Sequence, residues 1–515
     1  MALVEPWAGR DVATISAAIA VPSLLYLLAL MALGWLARLL LDPQDIIIAL
    51  FIGVMAIPAV LQFIPGRVDH HQWQLLFAVV SMGALANIFI RPSSVAAPLL
   101  AGFVFALGLW VGGGIVPWIA AFNASLIVHW MLAGDRSIRS GHHFSSALLA
   151  SSVLLIVISR PVTDWFNTEC DSFSLVYVGV AGITFLFWTG LRLGAGQLRS
   201  GMARMIASFG FASVLGIVYF LAFSGCRGGP FVGIDPLVSE LWMSNIAEMR
   251  SVFSILDNDP YEFVAWMALP LIALGVSVAG IFQSREHHRS MWVMFFIYVT
   301  IGILLSGIYI RFISATHLFS IVPGSYLIAC LWKRLRKVRM AAARLVGMIA
   351  LPLILGLGPW AFTAIGAKGD SSSKPVAINS PHCNLREIVG TLSLQGDGSP
   401  RLIASFIDFG SEILFRTNHE VLAAPYHRNN KGNRDHFSLL RARNAEEALA
   451  VVERRKVSLI LICPSSTKGR VYKGDGFRSF YERLAEGEIP SWLRPVKLPT
   501  ASGFRLFEVW AQSAR

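Results

Sequence analysis

One short stretch of this sequence concentrates groups that could do chemistry. Gly66-Arg67-Val68-Asp69-His70-His71-Gln72-Trp73 places one acid and two histidines beside each other, between two apolar segments. In an extended turn Asp69 and His71 point the same way. A carboxylate oxygen and imidazole nitrogens then suit a divalent cation, Mn²⁺ or Mg²⁺, with His70 as a further candidate ligand. A polar interfacial loop with a helix-capping aspartate is the alternative. Arg311 lies in a very short loop, with His317 just inside the next apolar segment. Together with Arg67 these are the candidate substrate-binding groups, because an arginine at such a rim can pair with a phosphate. It can equally be an interfacial anchor. The loop 224–261 is far longer than the others and carries two candidate acids, Glu240 and Glu248. Long loops of this kind are often functional. A third acidic group, Asp164, Glu169 and Asp171, reads as a solvated charge run.

The elements that must position these residues are membrane helices. Apolar residues make up 55% of the 515-residue chain and charged residues 14%. Soluble cores cannot absorb so much apolar surface, so a cytosolic enzyme, a disordered chain and a coiled coil are excluded. Twelve apolar segments stand at 12–37, 45–64, 72–90, 94–111, 115–133, 145–159, 173–190, 205–223, 262–282, 291–309, 314–332 and 345–363. The fourth and fifth are separated only by Gly112–Gly114, and the sixth is short for a full span. From residue 368 onward no apolar run suffices to cross a bilayer. The expected organisation is therefore a multi-span α-helical domain over 1–367, with an outside loop at 224–261, and a soluble α/β domain over 368–515.

Charge sets the orientation. If the spans alternate, one side collects 15 of the 21 Lys and Arg of residues 1–367, including Lys333, Arg334, Arg336, Lys337, Arg339 and Arg344. That side is the cytoplasm. The net charge of +12 is thus largely a topology signal and gives no reason to expect nucleic acid. The opposite side collects 12 of the 16 acids, and with them the Asp69 turn and the C-terminal domain. Cys170, Cys226, Cys383 and Cys463 also fall there, where pairing within each domain gives Cys170–Cys226 and Cys383–Cys463; buried free thiols are the alternative. In the tail, 401–410, 420–427, 458–464 and 504–510 read as strands, and 445–456 and 477–487 as helices. Their alternation suggests a small, largely parallel sheet.

Together these features resemble the GT-C superfamily of membrane glycosyltransferases, in the form of the catalytic subunit of oligosaccharyltransferases. The resemblance rests on Asp69-His70-His71, which matches that family's Asp-x-His metal motif, on the long loop, and on the outside C-terminal domain. It implies a polyprenyl-phosphate-linked sugar donor, an envelope acceptor and a divalent cation. It further implies a multi-pass protein of a bacterial inner membrane, with its C-terminal domain periplasmic. By the same resemblance Asp69 and His71 hold the metal and Arg311 meets the donor phosphate. Glu248, in Asn-Ile-Ala-Glu, resembles the family's Thr-Ile-x-Glu element, with Glu240, in Leu-Val-Ser-Glu, as competitor. The register sets segment 12–37 as the family's second span, so the first span and first outside loop are expected to be missing. The tail also lacks the Trp-Trp-Asp-Tyr-Gly motif, which argues against an asparagine-sequon acceptor. Two other classes remain open. An envelope-lipid transporter or flippase would need ionisable groups at mid-membrane depth, and a non-catalytic envelope assembly protein would bind no cation at Asp69.

Overall fold

The computed structural model describes Ala2 and residues 4–134, 136–284, 286–366, 383–395, 399–499 and 502–510. The chain folds into two compact units, one of Met1–Val232 with Glu248–Ser371, the other of Gly233–Ala247 with Ser372–Arg515. The domain boundary expected at 367/368 lies outside the described residues.

All twelve apolar segments are helical. In chain order they give α1 (Glu5–Ala37), α2 (Ile46–Met55) with α3 (Ile57–Val60), α4 (His71–Ile90), α5 (Ala96–Val111), α6 (Val116–Ala133) and α7 (Arg136–Ser159). There follow α8 (Leu175–Gly194), α9 (Gly201–Ala222), the short α10 (Pro236–Leu241) and α11 (Phe253–Asn258), then α12 (Pro260–Gln283), α13 (Glu286–Ile308) and α14 (Ile313–Leu335). The last apolar segment is split into α15 (Ala341–Gly356) and α16 (Gly358–Gly366). Among the described residues nine helices are long and apolar enough to cross a membrane, and Pro43–Met55, Ala96–Val111 and Ala341–Gly356 are shorter apolar helices.

Several details differ from the sequence expectation. The sixth segment is not short: α7 runs for 24 residues, because the polar Arg-Ser-Ile-Arg-Ser-Gly-His-His stretch continues the helix below the apolar run. Segment 45–64 is interrupted at Ala56, whose ψ of 72° breaks the helix two residues before Pro58. Segments 94–111 and 115–133, by contrast, are separate helices as expected, parted by the turn Gly113–Ile115, with Pro117 in the first turn of α6.

α4 and α14 form the centre of this unit, with most of their residues buried, whereas the only buried residue of α9 is Ser208. A helix apolar on every face and so little covered by protein is suited to lipid. A disulfide joins Cys170 to Cys226, tying the loop after α7 to the turn after α9.

The second unit adds α17 (Val389–Ser393), α18 (Gly410–Arg416), α19 (Asn430–Leu440), α20 (Ala445–Arg455) and α21 (Phe480–Glu486) around one sheet. Its strands are β1 (Leu402–Ser405), β2 (Glu420–Val421), β3 (Leu459–Ile462), β4 (Leu493–Val496) and β5 (Arg505–Val509), in the order β2-β1-β3-β5-β4. β2, β1 and β3 are parallel, with Ile403 opposite Leu459; β5 runs antiparallel to β3 and β4, with Leu461 opposite Leu506. The sheet is thus half parallel. β4 escapes a sequence reading because Pro495 interrupts it, which only an edge strand tolerates. α19 escapes because its first turns are polar, and the expected strand 420–427 shrinks to two residues. A second disulfide, Cys383–Cys463, joins the first described residue of this stretch to the end of β3.

The segment 224–261 is shared between the two units. Residues 233–247 belong to the second unit: Val238 is fully buried in its core, Leu237, Leu241 and Trp242 pack against that core, and Asn430 hydrogen bonds to Gly233 and Asp235. Residues 248–258 return to the membrane unit as a turn and α11.

Candidate functional site

α3 ends at Val60 and α4 begins at His71, so residues 61–70 form a turn at the end of two helices. Asp69 sits one turn before α4 and accepts the His71 backbone N–H at 3.3 Å, the favourable place for a carboxylate at a helix start. The same Oδ1 lies 2.7 Å from His71 Nδ1 and 2.9 Å from His70 Nδ1, and the two rings lie tilted by 33° with centroids 4.2 Å apart. One ligand atom from each of Asp69, His70 and His71 falls within 4.8 Å of the others. Burial pushes the Asp69 carboxyl up, but hydrogen bonds from His70 and His71 and the charge on both rings outweigh it. The group is held well below the usual carboxylate range, so it is anionic at any physiological pH.

The second carboxylate oxygen of Asp69 receives Arg67 Nη2 at 3.3 Å, and the same nitrogen donates to Glu248 Oε1 at 2.8 Å. Arg67 is therefore engaged by two acids and is absent from the lining of the adjacent cavity. The structure thus places Arg67, a candidate substrate contact in the sequence, between two acids. Glu248 is held close by its own segment. Ile310 N–H donates to Arg250 C=O at 2.7 Å and Val252 N–H to Ser306 C=O at 3.0 Å, pinning this segment to the end of α13 and the turn that follows.

That turn, Ile310–Phe312, carries Arg311. Arg311 and His71 line one small, partly open cavity with Gln62, Gln74, Trp118 and Ser314. The Arg311 guanidinium stacks 5.5 Å from the Phe312 ring and has no ion pair among the described residues. Asp69, His70, His71, Arg67, Glu248 and Arg311 are thus brought together. His317 is not: it is buried on α14, its Nε2 bonds to the Trp266 carbonyl on α12 at 2.8 Å, and it does not line the cavity. Glu240 lies exposed on α10, in the other unit. The structure gives neither the site contact expected of it.

Sequence reasoning missed the amides. Gln62 and Gln74 flank the Asp-His-His turn, and Gln74 stands three residues after His71, on the same helix face. Two glutamines in otherwise apolar helices were the available signal. It also sought Trp-Trp-Asp-Tyr-Gly verbatim and passed over Phe406-Ile407-Asp408-Phe409-Gly410, directly after β1. This stretch keeps the aspartate, the glycine and aromatics at the first and fourth positions. Gly410 cannot carry a side chain, since a Cβ would lie 2.2 Å from the Ala423 carbonyl oxygen. Asp408 is accessible there, with Lys468 Nζ at 3.6 Å.

No protein-family model and no curated protein matches the sequence. Solved structures do. The archaeal oligosaccharyltransferase AglB from Archaeoglobus fulgidus, in complex with an inhibitory peptide and a dolichol-phosphate, superposes with a TM-score of 0.65 at 14% identity, over 97% of this chain and 63% of that one. This chain has the fold of these archaeal oligosaccharyltransferases. The apo form of an Archaeoglobus fulgidus oligosaccharyltransferase gives 0.64 at 15% identity over 93% and 62%, and a complex with Zn and sulfate gives 0.62 at 16% over 92% and 59%. The chain spans about three fifths of the length of these oligosaccharyltransferases. At such identity the likeness establishes the fold alone, and activity has to be argued from the site.

Proposed function

We propose that this protein is a membrane glycosyltransferase that moves a sugar from a polyprenyl-phosphate-linked donor to an envelope acceptor at the outer face of a bacterial inner membrane. One observation carries the reading: the Asp69-His70-His71 cluster shares its surroundings with the free cation Arg311, in a chain of oligosaccharyltransferase fold. The AglB structure with dolichol-phosphate supports a lipid-phosphate donor, and the complex with Zn and sulfate supports a cation.

The cluster fits a divalent ion by its chemistry. Asp69 and His71 would be the principal ligands, and the more exposed His70 the third. Two imidazoles with one carboxylate favour a first-row ion such as Mn²⁺ over Mg²⁺, which prefers all-oxygen sites. When bound, the cation would act as a Lewis acid that eases departure of the phosphate. Arg311 donates to the same phosphate as a charge-assisted partner. As the acceptor attacks the anomeric carbon, the bond to the phosphate oxygen breaks and the negative charge leaves on the lipid phosphate. Arg67 keeps Asp69 and Glu248 in place, an outer-shell role that fixes ligand orientation.

The deciding assay follows labelled polyprenyl-phosphate-linked sugar into envelope acceptors in membranes carrying the full chain. Transfer that requires Mn²⁺ and is lost in Asp69→Ala is expected. Undiminished transfer by Asp69→Ala would remove the site assignment, and absence of cation binding would favour an assembly protein.

A further inference from the structure

The cation ligands and Arg311 leave part of their cavity unexplained. His71 Nε2, its Nδ1 being engaged by Asp69, is the atom left for the cation, but two more polar atoms of the lining are buried without a hydrogen-bond partner among the described residues: Gln62 Oε1 and Gln74 Nε2. Gln62 and Gln74 are each only 8% exposed. Buried polar groups are almost always paired, so orphans gathered around one cavity call for a ligand.

The polarity of the Gln62 amide is fixed by its neighbours. Ser314 Oγ donates its single hydrogen to the Pro58 carbonyl at 2.7 Å. It must therefore accept from Gln62 Nε2, 3.2 Å away, which leaves Gln62 Oε1 as an acceptor. Gln74 is seated against the glycine break between α5 and α6. A Cβ on Gly114 would stand 2.6 Å from Gln74 Oε1, and one on Gly112 3.0 Å from its Nε2. Bare backbone there lets the amide lie flat, with Nε2 as an unused donor. Trp118, only 2% exposed, and Phe312 supply apolar walls.

We infer that Gln62 and Gln74 are specificity-determining residues that read a neutral group of the transferred sugar, one that both donates and accepts, such as a ring hydroxyl or an acetamido group. The inference rests on the glycosyl-transfer reading above. Neutral amides suit this task because Arg311 and the cation already serve the phosphate. A site built from unpaired hydrogen-bonding groups rejects analogues that lack the matching partner, because they leave those groups buried and unmet.

The test measures binding to the full chain in detergent with Mn²⁺ present. The probes are bare polyprenyl phosphate, polyprenyl-phosphate-linked hexose and polyprenyl-phosphate-linked N-acetylhexosamine. Wild type should hold at least one sugar-loaded lipid more tightly than the bare lipid. Gln62→Leu and Gln74→Met should weaken that probe at least tenfold and change bare-lipid binding less than twofold. Arg311→Met should weaken all probes alike. Gly114→Ala offers a second route, because its added Cβ displaces the Gln74 amide without removing it, and it should reproduce the Gln74→Met profile. Melting temperatures report whether each variant folds. If bare and loaded lipids respond equally to the glutamine variants, or not at all, the cavity holds structural water and the inference is overturned. If neither sugar tightens binding, it is likewise overturned, while retained bare-lipid binding leaves the phosphate site standing. Absence of binding to every probe defeats the glycosyl-transfer reading and this inference with it.

Discussion

The two units treat charge in opposite ways. In the membrane unit the Asp69 turn links Arg67, Glu248 and two histidines in a single cluster, next to a cation and three polar atoms that have no protein partner. In the soluble unit charges are paired with one another: Asp435 with Arg454 and Arg455, Arg401 with Glu508, Arg478 with Glu486 and Glu488. Of these, the exposed Arg478 pairs contribute little each, whereas Asp435 is buried. The contrast separates a region arranged to be completed by something else from one arranged to be complete by itself. Changes in the first should alter binding and transfer with little loss of fold, and changes in the second should do the reverse.

The largest effect expected is Asp69→Ala, which should lower transfer by on the order of a thousandfold while the melting temperature of the chain holds. A collapse in melting temperature would blur the contrast at its sharpest point. Next is the Cys383–Cys463 bridge, which closes a segment with a sequence separation of 80. Replacing both cysteines with serine should destabilise the soluble unit by about 4 kcal/mol on the chain-entropy estimate. Hydrogen exchange at β1 and β3 should report it, with cation binding at Asp69 unchanged.

Acid pH comes third. His436 is fully buried, with Nε2 3.2 Å from Tyr472 Oη, and burial pushes its imidazole down from 6.5 to about 3. Between those values the unfolded chain binds a proton that the folded one refuses. Stability therefore falls as pH drops below 6.5, by about 2 kcal/mol at pH 5. A His436→Phe chain should show a flatter pH profile of soluble-unit hydrogen exchange. Arg67→Met should weaken Mn²⁺ binding about tenfold by loosening Asp69, measured by titration calorimetry. The smallest effect is Glu482→Ala. Its carboxylate accepts from Ser479 N–H at the start of α21, completing a capping box. Losing it should cost the soluble unit about 1 kcal/mol and leave transfer untouched.

Much of this architecture was legible in the sequence, for particular physical reasons. Apolar runs of near-membrane length announce helices regardless of their partners, so each of the twelve apolar segments was legible as helical, nine of them among the described residues long enough to cross a membrane. The Asp-His-His turn was legible because unlike ligands in direct succession are rare in interfacial loops. Partition of the loop 224–261 was not. Val238 is buried against a core made of residues far along the chain, and no local pattern encodes that. β4 was hidden by Pro495, and α19 by its polar first turns. Arg67 looked like a ligand contact because nothing in the sequence places Glu248, 181 residues later, against its guanidinium.

The Cys170–Cys226 bridge also bears on the order of events during biogenesis. Its halves precede α8 and follow α9, so it can close only after both helices have been made and both flanking loops delivered to the same side. Thiol oxidation then works as a checkpoint on insertion. A chain that threads α8 and α9 the wrong way, or stalls between them, keeps two reduced cysteines. A thiol-reactive mass tag applied during synthesis would count such chains directly.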